Sequence, residues 1–333
     1  MIYRKVMRGE VLEGGEVREL LEGLLNDKYT DIQTGAILTA LSVRGESPRE
    51  IEEGVRYLRE IAEISPEGRG AIDIVGTGGD GLNTINISTA SAFIAAAAGA
   101  RVLKHGNRSV SSSSGSSDLL EALGIDLNNL KDKTERVYKD TGMTFLYAPH
   151  YHPALKAVGG VRRELGVRSI FNLMGPLANP SSPDYILLGV YSEELMEGMV
   201  SILRGLGIKR GMVVHGVEDG ADEISICGTT KVIEISGSKV RRYNIHPEEL
   251  GLKMGRLEEI QGGGPKENAK LIKEVLAGRD TGAKRDALII NSAAALYLTG
   301  RAETLIEGVV LARETIASGR AYSKLQEYVE AVR

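Results

Sequence analysis

Residues 2–63 carry apolar side chains at three- and four-residue steps, the spacing of amphipathic helices. The stretch Glu16–Leu25 shows this stripe most clearly. Asp31 is predicted to cap a second helix that ends near Gly45. Ser47-Pro48-Arg49-Glu50 predicts the start of a third helix, because a serine cap is followed by proline and then by glutamate at the third position. The polar segment 65–70 that follows is predicted to be a domain boundary.

After residue 70 the pattern changes to apolar runs that alternate with amphipathic stretches, which indicates an α/β fold with a mostly parallel sheet. The predicted strands are Ala71–Val75, Arg101–Lys104, Thr144–Ala148, Tyr185–Val190, Gly211–His215 and Thr230–Ile235, with an antiparallel edge strand at Val240–Ile245. The predicted helices are Ser117–Leu123, Pro153–Leu165, Glu193–Leu206, Lys266–Leu276, Asp286–Thr299 and Glu303–Ser318, together with a buried alanine-rich helix over Ala90–Ala98. We therefore expect a small all-helical domain and a large α/β domain.

Composition narrows the class of protein. The 333 residues are sufficient for two domains, and the formal net charge of −4 gives no electrostatic reason to expect a nucleic-acid partner. Cys227 is the single cysteine, which excludes an internal disulfide and favours a reducing compartment. No signal peptide or membrane-spanning run is recognised, so we expect a cytoplasmic location and no membrane partner.

A glycine-rich loop follows the first predicted strand. Gly76, Gly78, Gly79 and Gly81 lie between the strand and Ser88-Thr89, whose hydroxyls are typical of a helix start. A strand, a glycine loop and a helix start together present backbone N–H groups to a phosphate. The glycine spacing fits neither the dinucleotide fingerprint nor the P-loop. A nicotinamide-dependent enzyme and a P-loop nucleotidase are therefore disfavoured, although such a loop is often only a tight turn.

Two further segments suit phosphate chemistry. Lys104-His105-Gly106-Asn107-Arg108 and the serines that follow combine cations, an amide and hydroxyls, although a serine run is more often a flexible loop. Asp222 and Glu223 follow another predicted strand, at the sheet edge where ligands bind in α/β folds. Paired carboxylates there can hold Mg²⁺, and a solvated acidic turn is the plainer alternative. The two candidate phosphate loops favour magnesium.

The segment 149–180 is rich in proline and glycine, and it is predicted to cross between the domains. His150 and His152 suggest a metal site, but the neighbouring sequence offers no third ligand. Arg162 and Arg163 have the spacing of a solvated helix face, which is the common role of such a pair.

These motifs occur together and in order, and the ordered set resembles the anthranilate phosphoribosyltransferase family over essentially the whole chain. The segments that carry the resemblance are Gly76-Thr77-Gly78-Gly79-Asp80, Asn86-Ile87-Ser88-Thr89, Lys104-His105-Gly106-Asn107-Arg108, Gly115-Ser116-Ser117-Asp118, His152-Pro153, Val161-Arg162-Arg163, Gly175-Pro176-Leu177-Ala178-Asn179-Pro180 and Asp222-Glu223.

The resemblance implies transfer of a phosphoribosyl group from phosphoribosyl pyrophosphate to the amine of anthranilate, a step of tryptophan biosynthesis that uses Mg²⁺. It implies two magnesium ions per subunit, held by Ser88, Asp222 and Glu223. The residues that it assigns to phosphoribosyl pyrophosphate are Gly76, Gly79, Asp80, Thr84, Asn86, Ile87, Ser88, Thr89, Lys104, His105, Gly106, Asn107, Arg108, Ser109, Val110, Ser111, Ser112 and Ser116.

For the acceptor, the resemblance points to Arg162 as the partner of the anthranilate carboxylate. Gly76 and Asn107 would lie near the amine, and His105, His152 and Pro176 would line the pocket. No strong general base is required, since an arylamine can attack an oxocarbenium-like centre while neutral; Lys104, Asn107 and Arg162 would act by positioning. Many relatives carry lysine where this chain has Ser113, so a phosphate contact by that lysine is not transferred.

The family fold implies a helical domain of residues 1–66, joined by helices from about 132–179, and an α/β domain of residues 70–131 and 180–333. It also implies a homodimer through the helical domain. One alternative is a pyrimidine nucleoside phosphorylase, whose first loop carries Lys-His-Ser before the glycines, unlike this chain. A nucleic-acid-binding relative of the same fold and transfer to a different aromatic acid are the others.

Overall fold

The N-terminal helices begin and end where local contacts satisfy their backbone groups. The computed structural model describes residues 2–108 and 113–333. Its first helices are α1 (Ile2–Met7), α2 (Gly14–Leu25), α3 (Asp31–Arg44) and α4 (Pro48–Glu60). The predicted start of α4 is confirmed, because the Ser47 hydroxyl accepts from Glu50 N at 3.2 Å and the Glu50 carboxylate accepts from Ser47 N at 2.9 Å. The predicted cap at Asp31 is wrong by one residue, since Thr30 Oγ1 accepts from Gln33 N and Asp31 is already helical.

The strands form one sheet across the described residues, in the order β3-β2-β1-β4-β5-β6-β7. Pairing is parallel from β3 through β5, whereas β6 and β7 are antiparallel additions. The predicted mostly parallel sheet and its antiparallel edge strand are therefore confirmed. The strand bounds are β1 (Ala71–Gly76), β2 (Arg101–Gly106), β3 (Met143–Tyr147), β4 (Tyr185–Gly189), β5 (Arg210–Gly216), β6 (Thr230–Ser236) and β7 (Lys239–Ile245).

The remaining helices connect and cover these strands. They are α5 (Ile87–Ala97), α6 (Ser116–Leu123), α7 (Leu127–Thr141), α8 (Ala148–Tyr151), α9 (Lys156–Leu165), α10 (Ile170–Met174), α11 (Met196–Gly205), α12 (Leu257–Ile260), α13 (Pro265–Leu276), α14 (Ala283–Leu298), α15 (Leu305–Ala317) and α16 (Arg320–Val332). The helix α16 has no counterpart among the helices predicted from the sequence. None of the helices in the described ranges combines the length and apolar character needed to cross a bilayer.

Alternation along the central strands sends side chains to two different hydrophobic cores. Leu187 of β4 packs in the main core, which the sheet forms with α5 and α13–α16. Ile186 and Leu188 pack on the opposite face in the second core, which contains α11, the N-terminal helices, α9 and α10. The small residues of α5 and α14 let these helices approach closely, as the bond from Ser91 Oγ to Leu288 O shows. The sheet thus joins the α/β part to the helical part.

The structure corrects the expected composition of the helical part. Residues 132–147 do not join the N-terminal helices, because most of this segment lies in α7 and in strand β3 of the sheet. Leu130 and Val137 of α7 pack in the main core, and α7 contacts α16 and β3. The apolar face of α7 therefore packs in the main core, together with the sheet and α16. Within the expected segment, α9 packs against α2 and α3, and α10 packs against α3 and α4.

Replacement of Glu50 by alanine is expected to lower the free energy of unfolding by about 3 kcal/mol, the usual cost of removing one partner of a buried ion pair. The Glu50 side chain is 1% exposed and forms an ion pair with Arg44 at 2.5 Å. It also accepts hydrogen bonds from the backbone N–H groups of Leu12 and Ser47. Urea denaturation measures the change, with Glu53→Ala in the same helix as the matched control. Equal losses in the two variants would contradict the assigned role of the buried pair.

Candidate active site

The predicted chemical groups meet at the carboxyl ends of the parallel strands. The glycine loop follows β1. The segment that begins at Asn107, here called the Asn107 segment, follows β2, and the loop that carries Asp222 and Glu223, here called the acidic loop, follows β5. The strand order reverses direction between β1 and β4, and such a switch point opens a crevice in which α/β proteins bind ligands. The sheet therefore brings these segments together, although they are distant in sequence.

The glycine loop and the acidic loop are in direct contact. Gly78 N donates to Asp222 Oδ2 at 2.5 Å. A Cβ atom at Gly76 would lie 2.3 Å from the same oxygen, and one at Gly189 would lie 1.6 Å from the backbone oxygen of Asp222. Glycine is therefore needed at both strand ends for the acidic loop to lie against the sheet edge. Gly78 and Gly79 themselves have φ values of 68° and 82°, in the left-handed region that glycine adopts readily.

Glu223 is held at the start of α5. Its Oε1 accepts from Ser88 Oγ at 2.6 Å and from Ser88 N at 3.2 Å. The Ser88 N–H belongs to the first turn of the helix, whose dipole favours a negative charge. Burial raises the pKa of Glu223 to about 7, and the bonds from Ser88 oppose this effect. Burial, Glu223 and then Asp80 raise the pKa of Asp222 well above its usual value.

Two adjacent carboxylates, Asp222 buried and Glu223 half-buried, fit a divalent cation well, because their negative charges repel each other. Asp222, Glu223 and the Ser88 hydroxyl offer oxygen atoms, which Mg²⁺ prefers. Among the described residues no group of three or more His, Cys, Asp or Glu side chains is arranged to hold a metal by itself. A cation bound here would therefore need further oxygens from a ligand, as is usual where magnesium is shared with a phosphate. Within the same described residues, His150 and His152 belong to no such group, so a metal site at these histidines has no support.

Lys104 lies directly beneath the glycine loop. Its side chain is buried, and Nζ donates to the Ile74 carbonyl of β1 at 2.5 Å. Burial lowers the pKa of Lys104, while Asp73, Glu223 and Asp222 raise it. Asp73 is fully buried beside it and accepts from Asn179 Nδ2 at 2.7 Å. Lys104 is thus placed to balance the negative charge of the site from below.

His105, His152 and Pro176 lie on the side of the site that faces the second core. The rings of His105 and His152 are buried and meet edge to face, with centroids 5.4 Å apart. His152 Nε2 lies 2.8 Å from the Ala178 carbonyl. Pro176 belongs to the short 3₁₀ turn Gly175–Leu177, whose Leu177 carbonyl accepts two hydrogen bonds from Arg59 of α4. Each of these contacts joins one segment of the site to another through buried groups.

The buried His105 side chain is expected to lower the free energy of unfolding in acid. Burial lowers its pKa to about 3, and His152, Lys104 and Arg59 act in the same direction. Below the ordinary value of 6.5 the unfolded chain therefore binds a proton that the folded chain does not, so stability falls as pH falls. The wild-type free energy of unfolding is expected to decrease by up to about 1.4 kcal/mol per pH unit from this group.

Urea denaturation of wild type and His105→Gln over a pH series isolates this contribution, because the other titrating groups are common to both proteins. The difference between the two curves is expected to grow as the solution is acidified below the ordinary histidine pKa. Parallel curves would show that folded His105 is protonated as easily as a histidine in water.

The Asn107 segment is tied to the start of α6. The Asn107 carbonyl accepts from Ser116 Oγ at 3.0 Å and from Ser117 N at 3.2 Å. A Cβ atom at Gly106 would lie 2.3 Å from Ser116 Oγ, so the two segments are in contact. Arg108 does not extend into the cleft, since its guanidinium binds Glu121, Asp118 and the Tyr147 hydroxyl. Ser109, Val110, Ser111 and Ser112 lie outside the described residues.

The segment from Thr84 to Thr89 offers the site mainly its backbone N–H groups and the side-chain amide of Asn86. The Asn86 amide donates to the Ser114 carbonyl at 2.9 Å and accepts from Asn268 Nδ2 at 3.0 Å. Ile87 and Thr89 have buried side chains, so their N–H groups rather than their side chains are relevant to a ligand. Thr84 pairs with Gln261 in an isolated bridge. Asn268 is a contact that sequence analysis did not identify, because α13 is remote in sequence.

Arg162 is a half-buried cation on α9. Its guanidinium carbon lies 5.1 Å from the centre of the Phe171 ring, and burial lowers its pKa. No carboxylate among the described residues forms an ion pair with it. An unpaired, partly buried guanidinium beside an aromatic ring suits a carboxylate ligand that carries its own aromatic ring. The neighbouring Arg163 is exposed.

Sequence analysis also missed Arg168, which lies in the turn between α9 and α10. Its Nη2 donates to the Gly79 carbonyl at 2.8 Å. The positions of Arg162 and Arg163 give no hint of this contact, since Arg168 lies beyond the helix that carries them. It connects the helical side of the cleft to the glycine loop.

Comparison with known proteins follows the same division of the chain. A family model described as the helical bundle domain of a glycosyl transferase family matches residues 1–62. A second model, described as the a/b domain of that family, matches residues 68–322. Together these matches define the class of protein as a glycosyltransferase with a helical domain and an α/β domain.

Individual relatives specify the family further. The anthranilate phosphoribosyltransferase of Shewanella amazonensis is 45% identical over 324 residues, covering 96% of this chain and 94% of the relative. The crystal structure of the Thermus thermophilus enzyme of that name is 44% identical, with a TM-score of 0.91 over 100% of this chain and 99% of its own. The Saccharomyces cerevisiae enzyme in complex with PRPP and Mg is 30% identical, with a TM-score of 0.85 over 94% and 90% of the two chains. The chain belongs to the anthranilate phosphoribosyltransferase family.

Proposed function

We propose that the chain transfers the phosphoribosyl group of phosphoribosyl pyrophosphate to the amine of anthranilate, in tryptophan biosynthesis. The bond between ribose C1 and the pyrophosphate oxygen breaks, a C1–N bond forms, and the amine loses a proton. The products are N-(5-phosphoribosyl)-anthranilate and pyrophosphate. The carrying observation is the contact of the neighbouring carboxylates Asp222 and Glu223 with the backbone N–H groups of Gly78 and Ser88 at the sheet edge.

The glycine loop and the start of α5 are proposed to hold the pyrophosphate and the ribose. Backbone N–H groups and a helix N-terminus stabilise the charge that grows on the leaving group. The positive φ of Gly79 supports this role, because it leaves the loop backbone open to a bulky anion. The residues assigned to this part are Gly76, Gly79, Asp80, Thr84, Asn86, Ile87, Ser88 and Thr89.

Ser88, Asp222 and Glu223 are proposed to hold magnesium, with two ions per subunit when the donor is bound. The yeast relative was crystallised with PRPP and Mg, which supports the use of this metal here. Bound magnesium would neutralise charge on the departing pyrophosphate. The chain's own contribution is to keep both carboxylates fixed, through Gly78 N and Ser88 Oγ, before any substrate arrives.

The second phosphate segment is proposed to bind the 5-phosphate and neighbouring oxygens. It comprises Lys104, His105, Gly106, Asn107, Arg108, Ser109, Val110, Ser111, Ser112 and Ser116. Because Lys104 Nζ and the Arg108 guanidinium are both engaged with other groups, their contribution in this state is charge at a distance. Backbone N–H groups and hydroxyls would make the direct contacts.

The acceptor is proposed to bind between α9 and the end of β2. Arg162 would pair with the anthranilate carboxylate, and Gly76 and Asn107 would lie near the amine. His105, His152 and Pro176 would form the wall of the pocket. The yeast relative was also crystallised with 4-fluoroanthranilate, which supports an aromatic acid with an amine as ligand. Since no strong base is needed, Lys104, Asn107 and Arg162 act by positioning and charge.

We further propose that residues 1–66 with α9 and α10 form the helical domain, that the rest forms the α/β domain, and that two chains pair through the helical domain in the cytoplasm. Ile32 and Val43 of α3 support the pairing, because their side chains are 86% and 83% exposed. Exposed apolar groups on one helix are typical of an interface. Sedimentation equilibrium tests this point, and a monomer at micromolar concentration would contradict it.

The fluorescence of anthranilate over time tests the reaction directly. Its decay is expected only when the protein, phosphoribosyl pyrophosphate and Mg²⁺ are all present, with one pyrophosphate released for each anthranilate lost. Each component is omitted in turn as a control. A folded protein that leaves the signal unchanged would exclude this acceptor. Release of pyrophosphate with a different aromatic acid would then identify a related transferase.

A further inference from the structure

Arg168 makes two close contacts through its guanidinium. One is the hydrogen bond from Nη2 to the Gly79 carbonyl at 2.8 Å. The other is with Tyr191, whose ring centre lies 3.7 Å from the guanidinium carbon. A cation at that distance over a tyrosine ring is well placed for a cation–π interaction. The planar group is therefore in contact with both an aromatic ring and the glycine loop.

The glycine loop is shaped to receive this group. A Cβ atom at Gly79 would lie 3.3 Å from both Nε and Nη2 of Arg168, so any larger residue would press against the guanidinium. Gly79 has a φ of 82°, a backbone conformation that glycine adopts without steric cost. The fit depends on glycine both for space and for backbone conformation.

Tyr191 is itself bound to the same loop. Its backbone N–H donates to Thr77 Oγ1 at 3.2 Å, and Thr77 N donates to the Gly189 carbonyl at 3.0 Å. The loop is thus fastened on one side by the segment after β4 and on the other by Arg168. Because Arg168 belongs to the turn that joins α9 to α10, it fastens the loop from the helical side of the cleft.

We propose that Arg168 is a positioning residue for the pyrophosphate donor, which acts by holding the Gly78–Gly79 backbone in the conformation that receives the phosphates. This inference rests on the proposed function of the glycine loop. Without Arg168, a loop with several glycines would have many accessible conformations, and donor binding would have to order it. Loss of Arg168 is therefore expected to weaken donor binding rather than to slow the chemical step.

Steady-state kinetics of Arg168→Ala tests the proposal. The KM for phosphoribosyl pyrophosphate is expected to rise about tenfold, as for the loss of one charge-assisted hydrogen bond. The kcat and the KM for anthranilate are expected to change little. Arg168→Lys should recover part of the loss, since lysine can donate to Gly79 but lacks the planar group that stacks on tyrosine. Arg163→Ala, an exposed arginine of the same stretch, is the matched control.

Two further measurements separate this role from general stability. The effects of Arg168→Ala and Tyr191→Ala on the KM for phosphoribosyl pyrophosphate are expected to be non-additive in the double variant. Each substitution removes the same contact between the guanidinium and the ring. Amide hydrogen exchange of residues 77–82 in the ligand-free protein is expected to be faster in Arg168→Ala than in Arg163→Ala. An active wild type with unchanged donor KM in Arg168→Ala would overturn the inference. An inactive wild type would overturn the proposed function, and the exchange rates alone would then decide whether Arg168 holds the loop.

Discussion

Replacement of either site carboxylate by its amide, Asp222→Asn or Glu223→Gln, is expected to lower kcat/KM by about a hundredfold or more, the loss typical of a removed charge-stabilising group. Asp222 and Glu223 are proposed to carry the metal charge that meets the departing pyrophosphate. The amides have nearly the same shape, so Glu223→Gln keeps its place beside Ser88. Activity measured over a magnesium titration gives the change, and the metal concentration needed for half-maximal rate is expected to rise.

Glu218→Gln is the matched control, because Glu218 lies in the same loop but accepts from Thr229 N instead of facing the glycine loop. Its rate is expected to stay close to that of the wild type. Thermal unfolding checks that the amide variants fold. A folded Glu223→Gln protein with wild-type magnesium dependence would remove the basis for placing the metal between Ser88 and the carboxylates.

The second large effect is expected at the acceptor. Arg162→Ala should raise the KM for anthranilate by about 10- to 100-fold, as expected for loss of a charge-assisted pair with a carboxylate. The KM for phosphoribosyl pyrophosphate should change little, because Arg162 lies on α9 and contacts Phe171 rather than the glycine loop. Anthranilate fluorescence at saturating donor measures the first constant, and pyrophosphate release measures the second.

Arg163→Ala again serves as the control, since it removes the same charge from the next residue of the helix. Arg162→Lys is expected to lie between wild type and alanine, because a lysine retains the charge but cannot bind a carboxylate through two parallel hydrogen bonds. An unchanged acceptor KM in Arg162→Ala, or an equal change in Arg163→Ala, would show that the carboxylate is recognised elsewhere.

Much of the fold could be predicted from local patterns. The strands predicted at Tyr185–Val190 and Gly211–His215 are observed at Tyr185–Gly189 and Arg210–Gly216, because buried parallel strands are continuous apolar runs. The helix α7 was harder to predict, since its buried stripe includes Thr134, whose hydroxyl binds the Leu130 carbonyl. By contrast, Ala321, Leu325, Tyr328 and Val332 of α16 are buried at helical spacing, a pattern that indicates a helix from the sequence alone.

The candidate site could be predicted as residue types but not as contacts. The family resemblance implied Ser88 and Glu223 as metal-binding residues, and the structure brings them within hydrogen-bond distance across 135 positions. Their role in metal binding stays a prediction. The contact of Arg168 with Gly79 spans 89 positions and depends on the turn after α9. No local pattern in a single sequence encodes such pairs, because they arise only when the two cores assemble on the sheet.

The two cores give this enzyme a property useful for protein engineering. Arg162 and Phe171 are carried by α9 and α10, which pack with the N-terminal helices in the second core. The acidic loop, which carries Asp222 and Glu223, continues into Ile224, which packs in the main core. Under the proposed roles of these residues, a library confined to α9 and α10 would vary the choice of acceptor while the donor chemistry is retained. Such a scaffold would suit selection for the attachment of phosphoribose to synthetic aromatic amines.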